Sequence, residues 1–309
     1  MITYLQASVM GLVQGVTELF PVSSLGQAVV LPTLLGWDSL ARAQAQPESF
    51  FLAFLVGLHV ATAIALLIYF RSEWGRIIAG FFRTVDAAAN ERRAPWTVIR
   101  SADERMAWLL VVATIPAGIT GVAFEHAFRV VFSKPLFAAV FLIVNGVILA
   151  VGELVRRRSE VRAVASAHGT YEGTDERRLE TLEFREAAII GVAQVLALIA
   201  GISRSGITMV AGLVRGLNHQ DAARFSFLLA TPIILAAGLY KLPDLFGPLG
   251  NGIRAQVLVG SVVAGVVAYL SVRFLMRYFE TRTLTPFAVV CLIEGVACTI
   301  GFAVTGRTF

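Results

Sequence analysis

Apolar residues run almost unbroken over about 51–70, 107–124, 135–154, 225–240, 257–273 and 286–303. Each run approaches the roughly 20 residues that a helix needs to cross the hydrocarbon core of a bilayer, so the pattern predicts six transmembrane helices. Two further apolar stretches, 6–35 and 187–214, are of another kind, because Gly, Pro and polar residues interrupt both. Broken backbone at membrane depth is tolerated only where it is buried in protein or lines a cavity. Each stretch is therefore predicted to be a re-entrant helix–loop–helix segment.

The basic residues sort these elements. Seven arginines fall in loop 71–106 and seven in loop 155–186, while Arg215, Arg224, Arg273, Arg277 and Arg282 flank later runs. The alternate connections hold only Arg42, Arg129, Lys134, Lys241, Arg254 and Arg307. The positive-inside rule puts the first set in the cytoplasm. The alternation closes only if 6–35 and 187–214 each enter and leave on one side, which leaves both termini outside. Arg204 alone lies within an interrupted stretch.

A shift of 180 residues ties the two stretches together: Gly11 meets Gly191, Gln14 meets Gln194, Ser23 meets Ser203, Gly26 meets Gly206, and Pro21 meets Gly201, one breaker against another. Each stretch is followed by three spans. Three is odd, so the second copy is inverted relative to the first, and broken helices of inverted repeats meet at a midplane binding site. The expected architecture is all-α and polytopic: one integral membrane domain over 1–309, with inverted repeat 1 over about 6–154 and repeat 2 over about 187–303. Loop 155–186 joins them on the cytoplasmic side.

Composition agrees, with 57% hydrophobic and 15% charged residues against about 25% charged in soluble chains. The net charge of +5 is read as loop charge that orients the spans, so no nucleic acid partner is expected. Cys291 and Cys298 share one run, seven residues apart, about 10 Å along a helix. That is too far for a disulfide, and both are expected to be packing residues. The N-terminal MITYLQASVMG has no basic region or cleavage site of the kind that marks a removed signal peptide.

The candidate chemistry sits in the two broken stretches. A charge inside the membrane costs about 2.5–3.5 kcal/mol on insertion scales and marks a functional site by default. Glu18 and Arg204 both carry that cost, and at similar depth they are expected to share one polar chamber. GISRSG, 201–206, offers Gly-rich backbone, the hydroxyls of Ser203 and Ser205 and a guanidinium. Arg grips phosphate bidentately and successive amides at a helix start bind anions, so these residues are read as an oxyanion cradle. QGVTE puts Gln14 and Glu18 on one helical face. A carboxylate beside a phosphate can help to hold Mg²⁺ or Ca²⁺ or act as a general base. Ser23 and Ser24 follow the break as donors or, for one of them, as a nucleophile. His59 in the first span is a candidate for the chamber. Glu294 ranks lower, and His126, His168 and His219 are expected to be solvated. No His or Cys spacing fits a zinc site, and no phosphate loop or dinucleotide fingerprint occurs.

With these residues in view, the chain resembles the bacterial undecaprenyl pyrophosphate phosphatases of the bacitracin-resistance type. Their first motif, E/Q-G-x-T-E-F/L-x-P-V-S-S-x-G-H, is met here by QGVTELFPVSSLGQ. Their second, P-G-x-S-R-S-G-x-T followed by A-A-R-F-S-F-L-L, is met by AGISRSGIT and AARFSFLLATP. HVATAIALLIYFR and RTLTPFAVV extend the likeness over about residues 5–300.

The resemblance implies an enzyme of the bacterial inner membrane, its site open to the periplasmic face, that removes the terminal phosphate of a C55 polyprenyl pyrophosphate for cell-wall synthesis. It implies a divalent cation at Gln14 and Glu18, and Ser24 as the nucleophile unless water attacks. Arg204 then binds the pyrophosphate with Ser23, Gly201, Ser203, Ser205, Gly206 and Thr208, and Gln27 and His59 lie beside it. The expected partners are the lipid substrate, the bilayer and at most a second copy in a homodimer.

Three departures stand out. The His that ends the family's first motif is Gln27, which cannot serve as a base near neutral pH. The Pro of the second motif is Ala200, and Tyr-Arg in the last span is Val290-Cys291. The alternatives are a polyprenyl phosphate transporter or flippase, for which an inverted repeat fits equally well, and a weakly catalytic lipid-binding paralogue.

Overall fold

The computed structural model describes residues 2–44, 46, 49–132, 134–166 and 179–306. Among these residues the regular structure is helical: α1 (Tyr4–Thr17), α2 (Ser24–Leu34), α3 (Asp38–Gln44), α4 (Phe50–Tyr69), α5 (Arg71–Glu91), α6 (Ala102–Phe132), α7 (Pro135–Ser166), α8 (Phe184–Gln194), α9 (Arg204–Val214), α10 (His219–Phe246), α11 (Arg254–Tyr278) and α12 (Thr285–Thr305). Six of them are long and apolar enough to cross a membrane: α4, α6, α7, α10, α11 and α12. They correspond to the six predicted runs, lengthened where a polar flank continues the helix. The run at 225–240, for example, starts at His219, because the Asn218 side chain caps the helix by accepting from the Asp221 amide at 2.7 Å.

The structure amends two loops. Segment 71–106 is mostly helix, because Ile77, Gly80, Thr84 and Ala88 recur at helical spacing and give α5 one buried stripe. That stripe docks on the first turns of α6, where Trp108 Nε1 donates to Thr84 Oγ1 and a side chain at Gly80 would collide with Glu104. At 155–186, α7 continues through the Arg triplet to Ser166. Residues 167–178, His168 among them, lie outside the described residues, as do the side chains of 125–133, His126 included.

Both interrupted stretches are helix–break–helix. The first breaks between Thr17 and Ser24, at Pro21, which has no amide to donate. The second passes through a 3₁₀ turn, Val195–Leu198, and Gly201 at φ +106, a backbone state that glycine tolerates. The matched serines end the breaks identically: Ser23 caps α2 by accepting from Gly26 N, and Ser203 caps α9 by accepting from Gly206 N, each at 3.1 Å.

The two halves exchange partners. α1 packs along α11 of the second half, and α8 packs along α6 of the first. The matched glycines make both contacts close: a Cβ at Gly11 would collide with the Gly260 carbonyl oxygen, and one at Gly191 with that of Ala113. Small residues let membrane helices approach to backbone contact in this way. The ends of the spans that carry the arginines gather on one side of the molecule. Arg224 of α10 pairs with Glu73 of α5, Arg105 of α6 donates to Leu182 O, and Arg156 of α7 reaches His219 of α10.

His219 corrects an expectation there. It is buried rather than solvated, its Nε2 lies 2.9 Å from Glu153 and its ring stacks parallel to Phe279. A charge-rich span end supplies such partners, which the position at a helix edge did not reveal. Cys291 and Cys298 are free and buried, as expected.

Candidate active site

The two breaks touch. A Cβ at Gly26 would meet Gly201 Cα at 3.0 Å, so glycine lets α2 pass close against the second break. Ser23 Oγ accepts from Gly201 N at 3.2 Å as well as from Gly26 N. Ser205 Oγ donates to the Phe20 carbonyl at 3.1 Å. Asn145, wholly buried in α7, donates from Nδ2 to the Pro21 carbonyl at 3.0 Å and accepts from Ser203 N at 2.9 Å. One amide side chain thus satisfies both breaks, where unpaired backbone groups would each cost about 1–3 kcal/mol.

At this junction Glu18 and Arg204 form one pair. The carboxylate is almost fully buried, with one oxygen 2.9 Å from Arg204 Nη2. Its other oxygen, Oε2, accepts from Ser24 Oγ at 2.6 Å and from Gln14 Nε2 at 3.0 Å, and His59 Nε2 stands 3.5 Å from it. His59 Nδ1 lies 2.8 Å from the Leu55 carbonyl. A carbonyl only accepts, so Nδ1 carries a hydrogen and Nε2 is the nitrogen turned to Glu18. Arg204 Nη1 is buried and has no hydrogen-bond partner among the described residues. An unpaired guanidinium donor in a buried site is costly, and an anion would satisfy it.

Ser24 and Arg204 occupy the same position in the two halves, the first residue of α2 and of α9. Two helix N-termini therefore converge on the pair, with first-turn amides that have no intrahelical partner and a positive dipole end. The expected amide cradle over 201–206 is narrower than the sequence suggested. Gly201 N is taken by Ser23, Ile202 N by the Ile199 carbonyl, Ser203 N by Asn145 and Gly206 N by the Ser203 hydroxyl. The amides of Arg204 and Ser205 remain. Thr208 also turns away: its hydroxyl bonds the Arg204 carbonyl at 2.8 Å and Ser226 at 2.7 Å, tying α9 to α10. Ser23, Ser203 and Ser205 are nearly inaccessible staples between the breaks. The more open side is formed by Ser24, Arg204 and His59, whose side chain is 29% exposed.

Gln27 donates from Nε2 to Glu294 at 2.5 Å. Glu294, ranked low from the sequence, thus adjoins α2 close to the site, and the polar residue in an apolar run was the signal. Asn145 carried the same signal within FLIVNGVILA and went unread.

Among the described residues no cluster of three His, Cys, Asp or Glu could hold a metal. The oxygen donors at hand are Glu18 and the Gln14 amide oxygen, whose nitrogen faces Glu18. That small set fits a hard cation which draws most of its ligands from phosphate oxygens and water, as Mg²⁺ commonly does.

Comparison with known proteins adds the following. A family model described as bacitracin resistance protein BacA matches residues 7–297. Undecaprenyl-diphosphatase of Mycolicibacterium paratuberculosis is 55% identical over 98% of this chain and 98% of its own length. Undecaprenyl-diphosphatase 2 of Frankia alni is 52% identical over 98% and 99%. Undecaprenyl-diphosphatase 2 of Burkholderia orbicola is 44% identical over 94% and 93%.

Proposed function

The chain belongs to the bacitracin resistance protein BacA family, and from that premise we propose that it is an undecaprenyl-diphosphatase whose two broken helices build one phosphate site. The observation that carries the site assignment is Arg204: one guanidinium nitrogen is held by Glu18 and the other is buried without a partner among the described residues.

In this reading Arg204 Nη1 and the free amides at the starts of α2 and α9 hold the terminal phosphate. Charge neutralisation and positioning are most of what phosphoryl transfer needs. Ser24 Oγ already donates to Glu18 Oε2 at 2.6 Å, a nucleophile within reach of its base. Its oxygen attacks the terminal phosphorus as its proton passes to Glu18. The bond from that phosphorus to the bridging oxygen breaks, and undecaprenyl phosphate leaves as the anion. Once Glu18 has given up that proton, it takes one from a water that attacks the phosphoserine phosphorus; the P–Oγ bond breaks, Glu18 returns a proton to Ser24 Oγ, and inorganic phosphate leaves. His59 Nε2 faces the same carboxylate oxygen and can take the proton on. Gln27 takes no part as a base; it holds Glu294 and the first turns of α2. A divalent cation at Glu18 and Gln14 would add positive charge at the phosphate oxygens.

The site opens to the periplasmic face of the bacterial inner membrane and both termini lie outside, a reading supported by the gathering of the arginine-rich span ends on the opposite side. The interrupted stretches are re-entrant, which their paired breaks and exchanged packing support.

The test is phosphate release from undecaprenyl diphosphate by the protein purified in detergent, with Mg²⁺, with Ca²⁺ and with EDTA. Release that depends on added cation and is lost in Ser24→Ala supports the reading. No release under any of these conditions would sink the enzyme assignment. Release that is undiminished in Ser24→Ala would make water the nucleophile.

A further inference from the structure

The cytoplasmic end proposed for α11 carries a second cationic site. Arg273, Arg277 and Arg282 line a groove of about 450 Å³ with Leu270, Phe274, Tyr278 and Thr281. All three arginines are exposed, and among the described residues none of them reaches a carboxylate within ion-pairing distance. Glu280 is the single acid between 270 and 285, and the Gln220 amide engages it at 3.4 Å. Several other arginines on this side are paired, as Arg224 is with Glu73 and Arg76 with Asp103.

The groove has a hydrophobic approach. Leu258, Val262, Val266, Leu270 and Phe274 recur every fourth residue along α11, each more than half exposed. They form one continuous apolar ridge that winds slowly around α11, by about 40° per step, and ends among the arginines. The groove is backed by aromatic packing: Phe274 stacks on Phe20 and tilts against Tyr278, whose ring packs edge-on to Phe287.

We infer that this groove seats an anionic phospholipid of the cytoplasmic leaflet, its phosphate among Arg273, Arg277 and Arg282 and one acyl chain along the α11 stripe. Guanidinium groups bind phosphate oxygens in pairs, and basic pockets at the cytoplasmic ends of transmembrane helices are suited to anionic headgroups. The apolar stripe distinguishes a lipid from free phosphate, which would gain nothing from it. The inference is independent of the chemistry proposed at Glu18 and Arg204.

The experiment is native mass spectrometry of the protein released from nanodiscs of equimolar phosphatidylcholine and phosphatidylglycerol. Wild type should retain phosphatidylglycerol in preference to phosphatidylcholine. The Arg273→Ala/Arg277→Ala/Arg282→Ala variant should lose that preference at least threefold. Arg92→Ala/Arg93→Ala/Arg100→Ala removes equal charge from exposed positions beyond α5 and should keep it. Leu270→Glu places a negative charge on the exposed wall without removing a buried contact. It should lower the preference likewise, which keeps the test alive if the triple variant does not fold. Inorganic phosphate added to the nanodiscs should leave the bound phosphatidylglycerol in place. Equal retention in wild type and the groove variants, equal loss in the control, or displacement by inorganic phosphate would each overturn the inference.

Discussion

At the scale of single residues, the account rests on a guanidinium shared between a carboxylate and a phosphate. Lysine keeps the charge of Arg204 but cannot present two fixed donors in two directions. Arg204→Lys should therefore lower phosphate release about a hundredfold or more, the loss typical for one transition-state donor, with an unchanged unfolding midpoint as control. Gln27→Leu should leave the Glu294 carboxylate without its 2.5 Å donor and cost about 1–3 kcal/mol of stability in denaturant titration. Its effect on turnover should be smaller than that of Arg204→Lys, since Gln27 holds the helix rather than the phosphate. The charged members of the site were legible in the sequence because charge in hydrocarbon demands an explanation. The roles of Ser23, Ser203, Ser205 and Thr208 were not. A hydroxyl in a Gly-rich break serves equally as a ligand donor or as a backbone staple, and only the partner across the junction decides which.

At the scale of elements, the breaks stay open because side chains from other helices take up their backbone groups. Asn145→Leu removes the partner of Ser203 N and leaves the Pro21 carbonyl only the weaker Cys291 thiol donor at 3.7 Å. The unpaired Ser203 N alone should cost about 1–3 kcal/mol, seen as a lowered unfolding midpoint together with lost activity. Gly11→Leu should force α1 off α11, because even a Cβ there would collide with the Gly260 carbonyl oxygen; overpacking of this kind costs about 1–3 kcal/mol. The six spans were legible because length and apolarity suffice to mark a transmembrane helix. α5 was not, because its buried stripe of Ile77, Gly80, Thr84 and Ala88 is short, half polar and embedded among arginines that read as a loop.

At the scale of the whole molecule, the 180-residue shift forecast that the two halves would meet at their breaks, and they do, at Gly26 and Gly201. The exchange of α1 and α8 between the halves was not legible, because a repeat gives the likeness of two units and not which faces they trade. The orientation has its own test. Cys291 and Cys298 are buried, so an introduced cysteine is the one an impermeant maleimide should find. Lys134→Cys should label in intact cells, and Arg92→Cys only after permeabilisation; the reverse would invert the topology. The claim that both halves form one phosphate site is tested most directly by a double-mutant cycle on single-turnover phosphate release from undecaprenyl diphosphate. Glu18→Gln and Arg204→Lys should each reduce the rate about a hundredfold or more. The double variant should then be no more than a few-fold slower than the slower single one, because residues that act as a unit are non-additive. Losses that multiply, or a single variant with undiminished release, would contradict the account.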